Sequence, residues 1–341
     1  MTPTACILGC AGPVLTAAER ALFADLQPWG FILFSRNVET SDQVRALTDS
    51  LREAVGRSVA PVLIDQEGGR VQRLGPPHWP RYPAGRHYGA LRGNDPLLGR
   101  EIARLGARLI AHDLVALGIN VDCMPVLDVP VRGAHPVIGD RAYGDMADEV
   151  AVLGRAACEG LIAGGVLPVL KHIPGHGRAT SDSHLELPVV EVDLCELEQS
   201  DFVPFRALSD MPMAMTAHVV FTAIDPGQPA TTSRTVIRSI VREVIGFDGL
   251  LISDDISMGA LIGDPGQRAR RARRAGCDVV LYGNGVLAEM GAVADGTGRL
   301  GGRSLRRAEA ALARVARRPE PFDVEAGRAR FDAAFEGRWA A

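Results

Sequence analysis

The sequence predicts a single (β/α)8 barrel, in which eight parallel strands alternate with helices around a closed sheet. Two observations support this fold class. Short apolar runs recur along the 341 residues, and each is followed by a polar or glycine-rich turn and then by a segment with helical periodicity. There are eight such runs, which is the number of strands that a closed barrel of this type requires.

The apolar runs are continuous rather than alternating, as expected for strands that are buried on both faces of a parallel sheet. The predicted strands are residues 5–9, 30–34, 61–65, 119–125, 166–171, 213–217, 249–253 and 278–282.

Helix signals lie between these runs. Asp95 and Pro96 suit the N-cap and first position of one helix, and Gly118 suits the position just after its end. Asp193, with Glu196 three residues later, resembles a capping box at the start of another. Helical patterns also cover residues 17–26, 41–55, 149–163, 233–245, 265–275 and 305–316.

An open, doubly wound sheet is the alternative fold, but no G-x-G-x-x-G follows an early strand. The sequence shows no linker rich in proline or serine and no internal repeat. We therefore predict one catalytic domain over residues 1–341, in which residues 319–341 form a C-terminal tail too short for a further domain.

Composition and charge exclude several classes of protein. The formal net charge is -4 and no long block carries one sign, which argues against binding to nucleic acid or to a membrane surface. Six cysteines lie apart without C-x-x-C spacing, as is typical of a reducing compartment. The apolar stretch before Cys10 is too short for a signal peptide, and no window is long enough to span a bilayer. We expect a soluble, cytoplasmic protein.

Polar residues follow most of the predicted strands, at the barrel face where active sites of this fold lie. Charged groups next to buried strands are costly unless they are paired or used, so their convergence on one face predicts an active site. These residues are Asp65-Gln66-Glu67, Asp128, Lys171-His172, His218, Asp254-Asp255 and Asn284.

The densest polar segment runs from Lys171 to His184 and contains three histidines. Because no H-E-x-x-H motif and no cysteine cluster accompanies His172, His176 and His184, we predict no metal and no other cofactor. We expect a structural role for His176. Glycines at 175 and 177 indicate a loop that is able to move.

Asp182 and His184 are two residues apart. In an extended stretch both side chains would lie on the same side, where the carboxylate would orient the imidazole and stabilise its charged form. A histidine that titrates near neutral pH is suited to donating and then accepting a proton. The alternative is a surface turn in which the Asp-x-His spacing is fortuitous.

Asp254 and Asp255 follow the seventh predicted strand. Adjacent side chains on an extended backbone point in opposite directions, so we expect one carboxylate to face the cavity and the other to support it or cap a helix. The carboxylate that faces the cavity is a candidate nucleophile for the anomeric carbon of a sugar.

At these residues the sequence resembles glycoside hydrolase family 3, and specifically its single-domain bacterial β-N-acetylhexosaminidases. Three ordered blocks carry the resemblance: IDQEGGRVQRL at residues 64–74, KHIPGHGRATSDSH at 171–184 and SDDISMGA at 253–260. Shorter matches lie at residues 120–128, 139–141 and 217–219, and the resemblance covers about residues 7–284. Two departures are Ile173, where phenylalanine is common, and Arg178, where an acidic residue is frequent.

The resemblance implies a role for particular residues. Asp254 would be the nucleophile of a retaining reaction, His184 the acid/base, and Asp182 the group that assists His184. Five further residues would bind the N-acetylglucosamine ring and its substituents: Asp65, Arg73, Arg141, Lys171 and His172.

The implied substrate is a small carbohydrate. The resemblance indicates removal of terminal β-1,4-linked N-acetylglucosamine from peptidoglycan fragments such as N-acetylglucosaminyl-anhydro-N-acetylmuramic acid, with or without peptide, by a monomer. A glycoside phosphorylase with the same residues is the enzymatic alternative, because a neutral histidine repels phosphate less than a carboxylate base does. A sugar-binding barrel without activity is the alternative of another class.

Overall fold

The computed structural model describes residues 2–183, 185–315 and 319–335, and in them eight parallel strands form one sheet. Each strand lies beside its neighbour in the chain, and the order is β7-β6-β5-β4-β3-β2-β1-β8. The strands are β1 (Thr4–Gly9), β2 (Pro28–Leu33), β3 (Val62–Ile64), β4 (Val121–Asp122), β5 (Leu167–Ile173), β6 (Met213–Thr216), β7 (Leu250–Ile252) and β8 (Val280–Tyr282).

The sheet closes on itself between β7 and β8. A parallel bridge joins Ile252 to Val279, and the amide of Ser253 donates to the Val279 carbonyl over 3.0 Å. The predicted closed barrel is therefore confirmed, with each predicted apolar run forming one strand, and the open doubly wound sheet is excluded.

Helices surround the strands. They are α1 (Ala17–Leu26), α2 (Ser41–Val55), α3 (Gly85–Asn94), α4 (Pro96–Val115), α5 (Ala147–Ala163), α6 (Leu194–Gln199), α7 (Val203–Ala207), α8 (Pro265–Ala275), α9 (Leu287–Thr297), α10 (Gly302–Val315) and α11 (Val324–Phe335), with a π-helix at Val236–Val244 and a short 3-10 turn at Gly139–Arg141. Two short ladders lie outside the barrel: Gln66–Gly68 pairs with Val71–Gln72, and Val189–Val190 pairs with Val220–Phe221.

Capping residues explain why several helices begin where the sequence predicts. The Asp95 carboxylate accepts from the amides of Leu97 and Leu98 at 3.0 and 3.1 Å, and α4 begins at Pro96. Asp193 accepts from the amide of Glu196 at 2.8 Å and starts α6. Such contacts satisfy amides that have no partner within the helix.

Two layers of apolar side chains form the core. The inner layer fills the barrel with strand residues such as Ile7 and Val169, and Leu305 and Leu312 of α10 pack against it. The outer layer lies between the strands and the surrounding helices. Because α10 packs against the inner layer from beyond the amino ends of the strands, the carboxyl ends are left to form a site.

The C-terminal residues contain a helix that the sequence did not predict. Phe331 and Phe335 on α11 are buried, and their rings contact Tyr88 with centroids 6.4 and 5.6 Å apart. Phe331 also contacts the ring of Tyr82 at 6.0 Å. Residues 324–335 are thus part of the domain core, whereas residues 316–318, including the predicted end of α10, and residues 336–341 lie outside the described part of the chain.

Within residues 2–183, 185–315 and 319–335, no helix has the length and apolar composition that crossing a bilayer demands.

We predict that Phe331→Ala lowers the free energy of unfolding by about 3 to 4 kcal/mol, because it removes a buried ring from an aromatic cluster and leaves a cavity. Urea denaturation followed by circular dichroism measures the change. Asp332→Ala, on the exposed side of the same helix, is the matched control and should change stability by less than about 0.5 kcal/mol. Equal effects of the two substitutions would contradict the docking of α11.

Candidate active site

A cavity of about 460 Å³ lies at the carboxyl ends of the barrel strands. Its size is in the range of small-molecule binding sites. Every predicted site residue that the structure describes contributes to its wall: Asp65, Arg73, Arg141, Lys171, His172, Asp182 and Asp254. His184, the predicted acid/base, lies outside the described residues.

Lys171 lies between two carboxylates at the base of the cavity. Its ammonium group is 2.9 Å from Asp65 Oδ1 and 2.7 Å from Glu67 Oε1, and the side chain is only 2% exposed. A buried ammonium requires such partners, because the cost of removing it from water is several kcal/mol. The two acidic residues are two positions apart in the chain, which lets both side chains lie on the same side of an extended backbone.

Two arginines complete this charge network. Arg141 donates from Nε and Nη2 to the two oxygens of Glu67 at 2.9 and 2.8 Å, a bidentate pair, and Arg73 Nη2 donates to Asp65 Oδ2 at 3.0 Å. Burial alone would raise the pKa of both carboxyls. Arg141 and Lys171 outweigh burial and lower the pKa of Glu67 to about 2, and Lys171 and Arg73 hold that of Asp65 well below its usual range.

His172 is oriented by Asp128. The backbone amide of His172 donates to Asp128 Oδ1 at 3.1 Å, and its Nδ1 lies 2.7 Å from Asp128 Oδ2. The amide of His176 also donates to Asp128 Oδ1, at 2.7 Å. Asp128 is fully buried, and although burial would raise its pKa, His172 lowers it, so the carboxylate fixes the backbone and the imidazole at this strand end.

Lys171 and His172 are adjacent, yet both reach the cavity. A regular strand would direct them to opposite faces. The pairing of β5 with β6 shifts register between Lys171 and Ile173, and this irregularity allows both side chains to face the site.

Asp254 follows β7 and presents its carboxylate to the cavity. Its Oδ1 accepts from the amide of Asp255 at 2.8 Å, which leaves Oδ2 for a reacting group. Burial would raise the pKa of Asp254, but His218, His172 and that hydrogen bond outweigh it and lower the pKa below the usual value. The group is therefore an ionised carboxylate at neutral pH.

A chain of hydrogen bonds supports the backbone of Asp254 and Asp255. Burial lowers the pKa of His218, so its imidazole is neutral. Nε2 then donates to the Asp255 carbonyl at 3.0 Å, and Nδ1 lies 2.7 Å from Thr231 Oγ1, which also lies 3.0 Å from the Ala217 carbonyl. Thr231 Oγ1 lies 2.8 Å from Thr216 Oγ1, which accepts from the Asp254 amide at 3.3 Å. These contacts hold the backbone at both residues.

Asp255 also contributes to the wall of the cavity. Its carboxylate nevertheless supports the structure, as expected. Oδ1 accepts from the amides of Ser257 and Gly283 at 2.9 and 3.1 Å. Because burial is the dominant effect, the pKa of Asp255 is raised, whereas that of Asp254 is lowered.

Asp182 does not begin an extended stretch, so that prediction is wrong. The Asp182 carbonyl accepts from the amides of Leu185 and Glu186 at 2.9 and 3.0 Å, so Asp182 opens a turn. Asp182 still lines the cavity.

The sequence placed Glu67, Asp128 and His218 at the active face without indicating an individual role for each, and it did not single out Thr216 or Thr231. The spacing of Asp65 and Glu67 was a usable signal, since residues two apart share a face of an extended chain. The threonines gave no such signal, because their contacts depend on how distant segments fold together.

Within residues 2–183, 185–315 and 319–335, no group of three His, Cys, Asp or Glu side chains is arranged to hold a metal ion.

Comparison with known proteins agrees with this geometry. The model of the glycosyl hydrolase family 3 N-terminal domain matches residues 12–317. The chain belongs to glycosyl hydrolase family 3. It is thus a glycoside hydrolase, and the prediction of this family from the sequence is confirmed.

Relatives of this glycoside hydrolase are named as hexosaminidases. A beta-hexosaminidase of Alkalilimnicola ehrlichii is 41% identical over 282 residues, which cover 82% of this chain and 80% of the relative. The structure of NagZ from Neisseria gonorrhoeae in complex with N-trifluoroacetyl-D-glucosamine is 32% identical, with a TM-score of 0.86 and coverage of 100% and 99%. A family 3 beta-N-acetylglucosaminidase from Paenibacillus sp. is 31% identical with a TM-score of 0.87, and the match covers 97% of this chain and 67% of that one.

We predict that Glu67→Gln lowers the free energy of unfolding of this family 3 hydrolase by about 3 kcal/mol at pH 7, because Arg141 and Lys171 keep their buried charges and lose a countercharge. Asp140→Asn is the matched control. This substitution removes the ion pair between Asp140 and Arg70, in which both side chains are nearly half exposed. Ion pairs that are this exposed contribute at most about 1 kcal/mol to the free energy of unfolding.

The difference between wild type and Glu67→Gln should also depend on pH. The pKa of Glu67 is lowered from 4.5 to about 2, so its stabilising effect is complete above about pH 5 and is lost as pH falls toward 2. Urea denaturation of both proteins at pH 7, 4 and 3 tests this. A difference that stayed constant with pH would show that the ionised carboxylate is not the source of the effect.

Proposed function

We propose that this glycoside hydrolase is a retaining β-N-acetylhexosaminidase. Its substrate would be a small carbohydrate of the cell wall, N-acetylglucosaminyl-β-1,4-anhydro-N-acetylmuramic acid with or without peptide, from which it releases the terminal N-acetylglucosamine. We further propose that the protein is a cytoplasmic monomer that acts in peptidoglycan recycling and needs no cofactor.

The observation that carries the proposal is the placement of Asp254. An ionised carboxylate faces the same cavity as the charge network around Lys171 and as Asp182. A carboxylate nucleophile has to be ionised when the substrate binds, and the lowered pKa provides this. The similarity to a beta-hexosaminidase, and to NagZ in complex with N-trifluoroacetyl-D-glucosamine, supports the choice of sugar.

The walls of the cavity suit a pyranose ring. Asp65 offers carboxylate acceptors, while Lys171 and Arg73 offer donors, and a sugar hydroxyl both donates and accepts. We assign these three residues, with Arg141 and His172, to binding of the ring and its substituents. Because each is fixed by a buried partner, the groups are preorganised before the substrate arrives.

The proposed reaction has two displacements. In the first, Asp254 Oδ2 attacks the anomeric carbon, the bond to the leaving oxygen breaks, and protonated His184 donates its proton to that oxygen. In the second, neutral His184 removes a proton from water, which attacks the anomeric carbon and frees Asp254. Asp182 stabilises the imidazolium of His184, which is present before the first displacement and again after the second.

We predict that a 5-fluoro-N-acetylglucosaminyl fluoride labels the chain once, on Asp254, because the ring fluorine slows both displacements whereas the fluoride leaving group keeps formation of the glycosyl-enzyme fast. Proteolysis and mass spectrometry locate the label. Asp254→Asn should take up no label and should lower kcat/KM by roughly 10⁴-fold or more. A label on another residue would disprove the assignment of the nucleophile.

A further inference from the structure

The segment that precedes His184 is attached to the body of the barrel at two points. The first is Arg178, whose Nε donates to Asp201 Oδ2 at 2.7 Å and whose Nη1 donates to Glu196 Oε1 at 2.6 Å. Asp201 is buried, so this ion pair fixes the start of the segment beside α6.

The second attachment is Ser183, which is 3% exposed. Its Oγ lies 3.1 Å from His176 Nε2, at the end of β5. Its carbonyl accepts from the amide of Ala260 at 3.3 Å, on the loop that follows Asp254. One residue thus connects the segment to the sugar-binding strand end and to the loop of the nucleophile.

The position of His176 is itself fixed by its neighbours. Its backbone is held by Asp128, and its ring packs against that of His172 with centroids 5.5 Å apart. Burial lowers the pKa of His176 to about 4, so the imidazole is neutral and carries one proton. Its Nδ1 is buried with no partner among the described residues, so among them the imidazole forms its hydrogen bond through Nε2, to the Ser183 hydroxyl.

Ser183 occupies a particular place in the chain. It follows Asp182, which opens the turn closed by the Leu185 amide, and it precedes His184. Asp182 and Ser183 both line the cavity, and the Ser183 hydroxyl is in contact with His176. The Ser183 hydroxyl therefore anchors the turn without taking part in proton transfer.

We propose that Ser183 and His176 form a positioning pair that holds the acid/base turn over Asp254. The inference rests on the proposed function, in which His184 is the acid/base. When the pair is broken, the turn spends less time in the position from which a proton is delivered, while Asp254 and the sugar-binding network stay as they are.

The leaving group distinguishes this role from a merely structural one. A 2,4-dinitrophenolate leaves without a proton, whereas a 4-methylumbelliferyl or sugar leaving group benefits from protonation. Loss of the positioning pair should therefore slow the second kind of substrate and spare the first. General damage to the fold would slow both to the same extent.

The test measures kcat/KM for the 2,4-dinitrophenyl and 4-methylumbelliferyl β-N-acetylglucosaminides. We expect Ser183→Ala to lose roughly 3- to 10-fold with the methylumbelliferyl substrate, the factor that corresponds to one hydrogen bond, and less than about twofold with the dinitrophenyl substrate. Ser183→Thr keeps the hydroxyl and should recover most of the loss. His176→Gln, which keeps a donor near the position of Nε2, should be milder than His176→Leu in the same comparison.

Ser304→Ala is the matched control. Its hydroxyl donates to Asp278 Oδ1 at 2.7 Å near the amino end of β8, far from the cavity, so its loss should leave the ratio of the two rates unchanged. Equal losses on both substrates in Ser183→Ala, or no loss on either, would overturn the positioning pair. Failure of the wild-type enzyme to release N-acetylglucosamine from either substrate would instead overturn the proposed function, so the two failures are distinguishable.

Discussion

The active site depends on the placement of one ammonium group, that of Lys171, between the carboxylates of Asp65 and Glu67. Two negative charges two residues apart at the end of one strand would repel each other in a buried site, and a lone ammonium would be too costly to bury. Lys171, Asp65 and Glu67 form a compact network with Arg73 and Arg141, in which each charged group has a partner of opposite charge. Such a network is rigid and polar, and it presents both donors and acceptors to a ligand with many hydroxyl groups.

The same network affects the nucleophile. The cationic side of the cavity contributes to the lowered pKa of Asp254, which is therefore ready to attack but unable to supply a proton. Protonation of the leaving group has to come from a different element, and in our account it comes from the turn that Asp182 opens. The site is thus divided into fixed groups on the barrel strands and a proton-transfer group on a segment attached through Arg178 and Ser183.

Much of the fold could be predicted from the sequence because strands buried on both faces appear as continuous apolar runs. Helices with clear caps, such as the one that begins at Pro96, were also predictable. α11 was not, because its stability comes from aromatic contacts with Tyr82 and Tyr88, far away in the chain. Helix α9 was not predicted either, because its apolar residues do not follow a distinct helical period.

For the site, the sequence indicated which residues would meet but not how they are held. Asp65, Lys171 and Asp254 were recognisable from their places after apolar runs and from the family motifs around them. Other features depend on contacts between distant segments, which no local pattern encodes. They are the role of Glu67, the turn at Asp182 and the chain of hydroxyl groups through Thr216 and Thr231. The register shift in β5, which lets adjacent side chains share the cavity, belongs to the same class.

The most direct measurement is a crystal structure of Asp254→Asn with N,N′-diacetylchitobiose bound. The account predicts that the non-reducing ring lies on Asp65, Arg73 and Lys171, with its anomeric carbon facing the side chain at position 254 and the glycosidic oxygen facing the turn at Asp182. A sugar bound elsewhere on the barrel, or bound in the cavity with its anomeric carbon directed away from position 254, would contradict it.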